Sequence, residues 1–215
     1  MAALHLTVIA KRPVPGLVKT RLCPPCTPSQ AAELAAAALA DTLDAIDLLA
    51  ATHARPVRRV LLFDGDPTGW LRQGYELVAQ RGEGLAARLA NGFDELGPGV
   101  IVGMETPHGV AALAAGLDAL AGHRDVIGLA TDGGYWAIGL HRADRRVFES
   151  IPMSESNTGL SQLRRLHSLG RSVSLLPMLR DLDTFDDVIA AAGRDVAQRL
   201  TMTSQRLVVE AGASS

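Results

Sequence analysis

A chain of 215 residues with 47% hydrophobic side chains can bury a sizeable core, which excludes an intrinsically disordered protein. Its formal charge of −2 gives no general attraction to nucleic acid or to an anionic membrane. No apolar run is long enough to span a bilayer, and the N-terminal M-A-A-L-H-L-T-V-I-A lacks the features of a secretory signal. A cytoplasmic protein with no nucleic-acid or membrane partner is expected.

Residues 4–10 form a short apolar run with β-branched members and are predicted as a buried strand. The segment A-K-R-P-V-P-G-L-V-K-T-R-L follows, setting Lys11, Arg12, Lys19 and Arg21 among Pro13, Pro15 and Gly16. The prolines and the glycine prevent both a continued strand and a new helix, so a stiff, positively charged loop is predicted. Next comes C-P-P-C, which holds Cys23 and Cys26. A lone C-x-x-C is a weak redox signal and supplies half of a structural zinc site, so these read as buried or half-buried thiols in a proline turn. T-P-S-Q at residues 27–30 is a capping box with proline at the first helical position. An alanine-rich helix is predicted from there to about residue 51, with Leu39, Leu43, Ile46 and Ala50 on one face.

Residues 57–64 and, more weakly, 75–80 are predicted strands, and 83–96 a helix ended by G-P-G. A strand at 100–104 and a helix at 109–121 follow. Two more strands, 125–130 and 135–140, are broken by T-D-G-G. A helix over 157–169 leads to a strand at 172–176, and D-L-D-T-F-D-D opens a short helix at Thr184. The C-terminal stretch reads as a helix with a small-residue, frayed end. Such alternation predicts one α/β domain, a mostly parallel central sheet flanked by helices on both faces. The body should comprise residues 1–192, and residues 193–215 a C-terminal helix and tail; there is no internal repeat or interdomain linker.

Ligands of such sheets bind beyond the carboxyl ends of the strands, so the residues just after each strand are the candidates. They are the basic loop, D-G-D-P at 64–67, Q-R-G-E-G-L-A-A-R at 80–88, G-M-E-T-P at 103–107, A-T-D-G-G-Y-W at 130–136 and R-D-L-D at 180–183. Cations at one strand end and carboxylates at others suit a nucleotide with a divalent ion. Neither a P-loop nor a G-x-G-x-x-G after the first strand is present. Asp66-Pro67 reads as a helix start, with Asp as the cap and Pro at the first position, rather than half of a metal-binding D-x-D. The G-E-G of residues 82–84 reads equally as a nucleotide contact or a plain loop, and the six histidines lack metal-ligand spacing.

The segment K-R-P-V-P-G-L-V-K-T-R-L-C-P-P-C-T-P-S-Q resembles the signature K-A-P-V-P-G-x-V-K-T-R-L-x-P-x-x-T-P-x-Q of a bacterial GT-A-like glycosyltransferase family. That family was formerly catalogued as a domain of unknown function and is often labelled as of the arsenosugar-biosynthesis type. The similarity continues through Q-R-G-E-G-L-A-A-R-L, A-T-D-G-G-Y-W-A-I-G-L and L-P-M-L-R-D-L-D-T-F-D-D. It implies the nucleotide-diphospho-sugar transferase (GT-A) fold. It further implies that Lys11, Lys19 and Arg21, with Gln80, Gly84 and Arg88, hold the nucleotide and its phosphates; Arg12, where the signature has Ala, is assigned to the same phosphate clamp by its charge and place in the stiff loop. Glu105 and Asp183 are the implied ligands of a divalent ion, Mg²⁺ or Mn²⁺, and Asp132 and Asp183 the candidate catalytic carboxylates. Thr106, Asp132, Gly133, Gly134, Tyr135, Met153 and Ser154 are the implied sugar and acceptor contacts.

The chain departs from the pattern at G-M-E-T-P-H, where relatives read G-x-D-x-P-D, so that Glu105 and His108 replace two aspartates. Met153-Ser154 stands where relatives tend to have Trp-Ser. The expected function is metal-dependent transfer from a nucleotide-diphospho-sugar to a small-molecule acceptor. Two alternatives stay open: a nucleotidyltransferase acting on a nucleoside triphosphate, and a non-catalytic nucleotide-binding relative. A homodimer is left open as well.

Overall fold

The computed structural model describes residues 3–106, 110–180 and 198–213. The first strand, β1 (His5–Lys11), is followed by the basic loop, which ends in a 3-10 turn at Thr20–Leu22. Helix α1 (Pro28–Thr52) starts where the sequence predicts: the Thr27 hydroxyl accepts from Gln30 N, and Gln30 Oε1 accepts from Thr27 N at 2.8 Å. Strands β2 (Arg58–Asp64) and β3 (Tyr75–Ala79) lead to α2 (Gly84–Leu96), β4 (Gly99–Gly103) and α3 (Val110–Ala121). A hairpin of β5 (Asp125–Ala130) and β6 (Tyr135–Leu140) is followed by a 3-10 turn at Arg145–Phe148 and α4 (Thr158–Ser168). Strand β7 (Val173–Leu179) and helix α5 (Gln198–Ala213) complete the described elements. The short helix expected at Thr184 and the boundary expected at 192–193 lie outside the described residues.

The sheet has the order β3-β2-β1-β4-β6-β5-β7. All neighbouring pairs are parallel except β4–β6 and β5–β6, because the T-D-G-G turn makes β6 the return arm of a hairpin. Val8 lies opposite Leu61 on one side and Val102 on the other, at the centre of the sheet. Side chains alternate between the faces with the two-residue period of a strand. Leu6, Val8, Leu61, Val100 and Val102 pack under α1 and α3, against Leu39, Leu43, Ile46, Leu113 and Leu117. Val60, Leu62, Ile101, Ile138 and Leu140 pack on the other face, under Leu89, Phe93 and Leu96 of α2 and Leu166 of α4. Each fully buried leucine or isoleucine contributes about 1.5–3 kcal/mol.

Three polar groups are buried in ways that position elements. His5 is fully buried, with Nε2 donating to Gly97 O at 3.2 Å and Nδ1 accepting from the Thr7 hydroxyl at 2.8 Å. Burial lowers its pKa to about 4, so the ring is neutral at pH 7. Asp125, at the start of β5, accepts from His141 N and from Arg171 Nη1 at 2.9 and 2.7 Å, tying β5, β6 and β7 together at the sheet's amino edge. Asp41 of α1 accepts from Leu200 N at 2.9 Å and so neutralises donors at the start of α5, where the helix dipole favours negative charge. Leu200 and Leu207 then pack on Leu34 and Ala38 of α1. No helix among the described residues is long and apolar enough to cross a membrane.

Candidate nucleotide and acceptor cleft

Parallel strands put their carboxyl ends at one edge, and β6, running the other way, brings its first residue there. Lys11, Asp64, Gly103, Ala130 and Tyr135 therefore share one rim. The chain leaves β1 toward β2 on one side and enters β4 on the other, so a crevice opens between β1 and β4, where α/β sheets bind ligands.

Two adjoining hollows occupy this rim. One, of about 590 Å³, is lined by Lys11, Gln80, Gly84, Arg88, Thr106 and Trp136 among others. The other, of about 580 Å³, is lined by Arg21, Asp132, Gly134, Met153, Glu155 and Thr158 among others. Leu85, Glu105, Tyr135 and Ser154 line both, so the hollows form one two-lobed cleft with Glu105 on the shared wall.

The first lobe is built on the basic loop and the start of α2. Val18 and Leu22 are buried and anchor the loop, while the Lys11 ammonium donates to Leu17 O at 2.7 Å and folds it back on β1. Arg12 turns outward to Asp66, donating to its backbone oxygen at 3.1 Å and to Oδ2 at 2.7 Å. Asp66 accepts from the hydroxyl and amide of Thr68, and these bonds, with Arg12, hold its carboxyl below the usual range. It caps a turn, not the helix start that its sequence context predicts, because no helix follows before β3. Gln80 Nε2 donates to Ala10 O at 2.7 Å and to Leu62 O at 3.0 Å, while its Oε1 accepts from Arg88 at 2.9 Å. Arg88 also donates to Asp64 Oδ2 at 2.7 Å. Gln80 thus aligns Arg88 on the cleft wall.

Helix α2 begins without a side-chain cap, unlike α1, and Gly84 opens it at φ 74 with no atom within 4 Å of where a Cβ would be. A bare backbone amide end beside a cationic loop favours an anion.

Glu105 stands on the turn after β4. The turn is held by buried Met104, whose carbonyl accepts from the Thr42 hydroxyl of α1 at 3.2 Å, and by Thr106 Oγ1 donating to Gly103 O at 3.1 Å. The Lys19 ammonium pairs with Glu105 Oε2.

In the second lobe, Asp132 Oδ1 accepts from Gly134 N at 2.7 Å, which fixes the carboxylate on the hairpin turn. Gly133 adopts φ 92, and its carbonyl accepts from Gly159 N at 2.8 Å. A Cβ there would fall 1.8 Å from Ser156 O, so only glycine lets the turn meet the start of α4. The Tyr135 hydroxyl, its pKa raised by burial, lies 3.4 Å from Gln162 Oε1 and 3.8 Å from Met153 Sδ.

The structure gathers Lys11, Lys19, Arg21, Gln80, Gly84, Arg88, Glu105, Thr106, Asp132, Gly134, Tyr135, Met153 and Ser154 around this cleft, with Gly133 supporting its turn. Arg12 braces the loop from outside, and His108 and Asp183 lie outside the described residues. Leu85, Glu155, Ser156 and Thr158 also line the cleft, beyond the candidates that the sequence marks. The signals for them were there: Leu85 follows the G-E-G loop, and the others open a predicted helix. A further hollow of about 500 Å³ lies at the opposite edge, lined by Leu4, Val57, Leu117, Leu120 and three histidines. It faces the amino ends of the strands and lacks the cation cluster.

The two cysteines are free thiols, with Cys26 buried and its thiol pKa raised first by burial and then by Cys23. Neither lines the cleft.

No curated protein sequence matches the chain. Among solved structures, a candidate nucleotide-diphospho-sugar transferase from Desulfovibrio desulfuricans G20 superposes with a TM-score of 0.83 at 23% identity, covering 98% of each chain. Rv0371c from Mycobacterium tuberculosis H37Rv superposes with a TM-score of 0.52 at 20% identity, over 88% of this chain and 98% of that one. These likenesses show the nucleotide-diphospho-sugar transferase fold. The model of a family described as an uncharacterized protein conserved in bacteria (DUF2064) matches residues 34–155. That stretch is more than half of the chain and includes α2, the Glu105 turn and the D-G-G-Y turn, and the chain therefore belongs to this family.

Proposed function

We propose that the protein is a glycosyltransferase that binds a nucleotide-diphospho-sugar in the first lobe and a small acceptor in the second. The observation that carries this reading is the two-lobed cleft itself. A cationic lobe ending on a bare helix N-terminus adjoins a lobe bearing a fixed carboxylate, and the two share Glu105. The diphosphate lies against Gly84 and the start of α2 beside Arg88 and extends along the shared wall toward Lys19 and toward Arg21, which lines the second lobe. The sugar then spans the shared wall, over Glu105 and Tyr135. Lys19 and Arg21 stabilise the charge that develops on the departing nucleoside diphosphate. Asp132, held by the Gly134 amide, takes the proton of the attacking acceptor group. Asp183 is proposed as the second carboxylate of the site.

A hard divalent ion is often held by one or two carboxylates plus substrate phosphates, so Glu105 suits Mg²⁺ or Mn²⁺ as a single-carboxylate donor. No group of three His, Cys, Asp or Glu side chains that could hold an ion occurs among the described residues. An ion held by Glu105 would supply positive charge to offset the negative charge of the departing diphosphate.

The test is product analysis with a panel of nucleotide-sugars and nucleoside triphosphates over candidate acceptors. Release of a nucleoside diphosphate is expected with one nucleotide-sugar. Release of pyrophosphate from a triphosphate would replace glycosyl transfer by nucleotidyl transfer. Tight binding with no turnover of any donor would leave a non-catalytic nucleotide-binding protein.

A further inference from the structure

At the edge of the sheet opposite the cleft, the segments entering β1, β2 and β4 and the last turns of α1 and α3 surround a hollow of about 500 Å³. That volume lies within the range of pockets for small molecules, about 300–1,000 Å³. Leu4, Val57, Leu117 and Leu120 make its walls apolar, and His53, His123 and His141 supply its polar points. Two of these rings are fixed at Nδ1. His53 caps the end of α1, its amide donating to Leu49 O at 2.9 Å, and its Nδ1 accepts from Arg55 N at 3.2 Å, with Arg55 O at the same distance. A backbone amide can only donate, so the ring proton of His53 sits on Nε2. That side chain is 7% exposed, and its Nε2 meets Asp118 Oδ1 at 3.7 Å, an ionic contact too long for a hydrogen bond. His141 is held by the buried Asp125, whose Oδ1 accepts from His141 N at 2.9 Å and from Nδ1 at 2.7 Å, while the His123 ring packs edge-on at 6.1 Å. A carboxylate at Nδ1 keeps a proton there and leaves Nε2 of the neutral ring as an acceptor. Neither Nε2 has a hydrogen bond to the described residues.

We propose that this hollow is a second small-molecule site, for an uncharged ligand with a compact apolar body and a hydroxyl group. A hydroxyl accepts from a donor such as His53 Nε2 and donates to an acceptor such as His141 Nε2, so it suits either ring. The apolar body displaces water from the four aliphatic side chains, which favours binding by about 25 cal/mol for each Å² covered. A charge of either sign is opposed. An anion would meet Asp118 beside His53, and a cation would meet the exposed Arg55 on the wall. Asp125 offers a cation no counter-charge, because Arg171 Nη1 already pairs with it at 2.7 Å. The site is separate from the cleft and does not depend on which reaction the cleft performs.

Nuclear magnetic resonance of the histidine ring protons reads occupancy without any turnover. Phenol is titrated into the parent, beside toluene, benzoate and benzylammonium, which keep the ring but lack the hydroxyl or carry a charge. Phenol is expected to shift the His53 and His141 ring signals saturably. It is expected to bind about 3- to 10-fold more tightly than toluene, the usual net contribution of one hydrogen bond. Benzoate and benzylammonium are expected to bind more weakly than phenol. Ala121→Leu, at the end of α3, puts a larger side chain into the hollow and is expected to abolish the shifts. Val57→Phe serves as the second filling variant should Ala121→Leu fail to fold. The proposal is overturned by the absence of a saturable shift with phenol, or by equal affinity for phenol and toluene. Tighter binding of either charged probe overturns it too, as do shifts that persist in the filling variant.

Discussion

Arg88 owes its position to two side chains, Asp64 and Gln80, and that arrangement predicts what its loss would do. Its ion pair with Asp64 is partly exposed, so the Arg88→Ala change should cost about 1 kcal/mol or less in stability. A charge-assisted contact to phosphate is worth about 1.5–3 kcal/mol, so nucleotide affinity should fall roughly 10- to 100-fold. Calorimetric titration beside a melting curve checks both expectations, and unchanged affinity would remove Arg88 from the phosphate site. His5 gives a pH dependence. Its pKa is about 4 in the fold against 6.5 for an unperturbed histidine, so between these pH values the unfolded state binds more protons. The contribution of neutral His5 is fully present above pH 6.5 and is lost as pH falls toward 4, up to about 3 kcal/mol. Denaturation midpoints at pH 7 and pH 4.5 should differ less in His5→Gln than in the parent. At this scale the sequence shows which residues are chemically equipped, but not whom they meet. Lys19 and Glu105 were both legible as site residues, yet their pairing depends on how the strands are ordered. The role of Gln80 in aligning Arg88 was equally hidden, because its partners are backbone oxygens of β1 and β2.

Elements with local signals were predicted within a residue or two. Helix α1 is the clearest case, because T-P-S-Q specifies its start by its own hydrogen bonds. Strand β7 runs farther than predicted, to Leu179 rather than residue 176, because Pro177 looks like a stop. At the sheet edge a proline is tolerated, since one side of the strand has no ladder to donate to. The hairpin turn supports a sharper prediction. Gly133→Ala forces a Cβ against Ser156 O at a positive φ, costing about 1–3 kcal/mol. The melting temperature should fall and acceptor-dependent turnover should be lost, while nucleotide affinity, set in the other lobe, changes little. Loss of nucleotide affinity in the same variant would contradict the division into two lobes. At the opposite edge, Arg171→Met leaves the fully buried Asp125 carboxylate without its guanidinium. Removing one partner of such a pair typically costs about 3–5 kcal/mol, readable as a shift in denaturant midpoint.

For the whole molecule, alternating strands and helices were enough to predict a mostly parallel α/β sheet. Strand order was not legible, because it is set by which faces pack best rather than by any local pattern. The order matters for function. It sets β1 beside β4 with their following loops diverging at the carboxyl ends, brings the reversed β6 between β4 and β5, and so sets the D-G-G-Y turn on the same rim as the basic loop. Fold alone does not specify chemistry, and the same scaffold serves many reactions. The central claim is accordingly about a place: the two-lobed cleft at the rim holds a nucleoside diphosphate through the loop cations. The most direct measurement is isothermal titration of nucleoside diphosphates and nucleotide-sugars into the parent and into the Lys19→Ala, Arg21→Ala double variant, each verified as folded. Saturable binding of at least one nucleotide to the parent is expected, weakened by about 100-fold or more in the variant, as loss of two charge-assisted contacts requires. Equal affinity in parent and variant would contradict it.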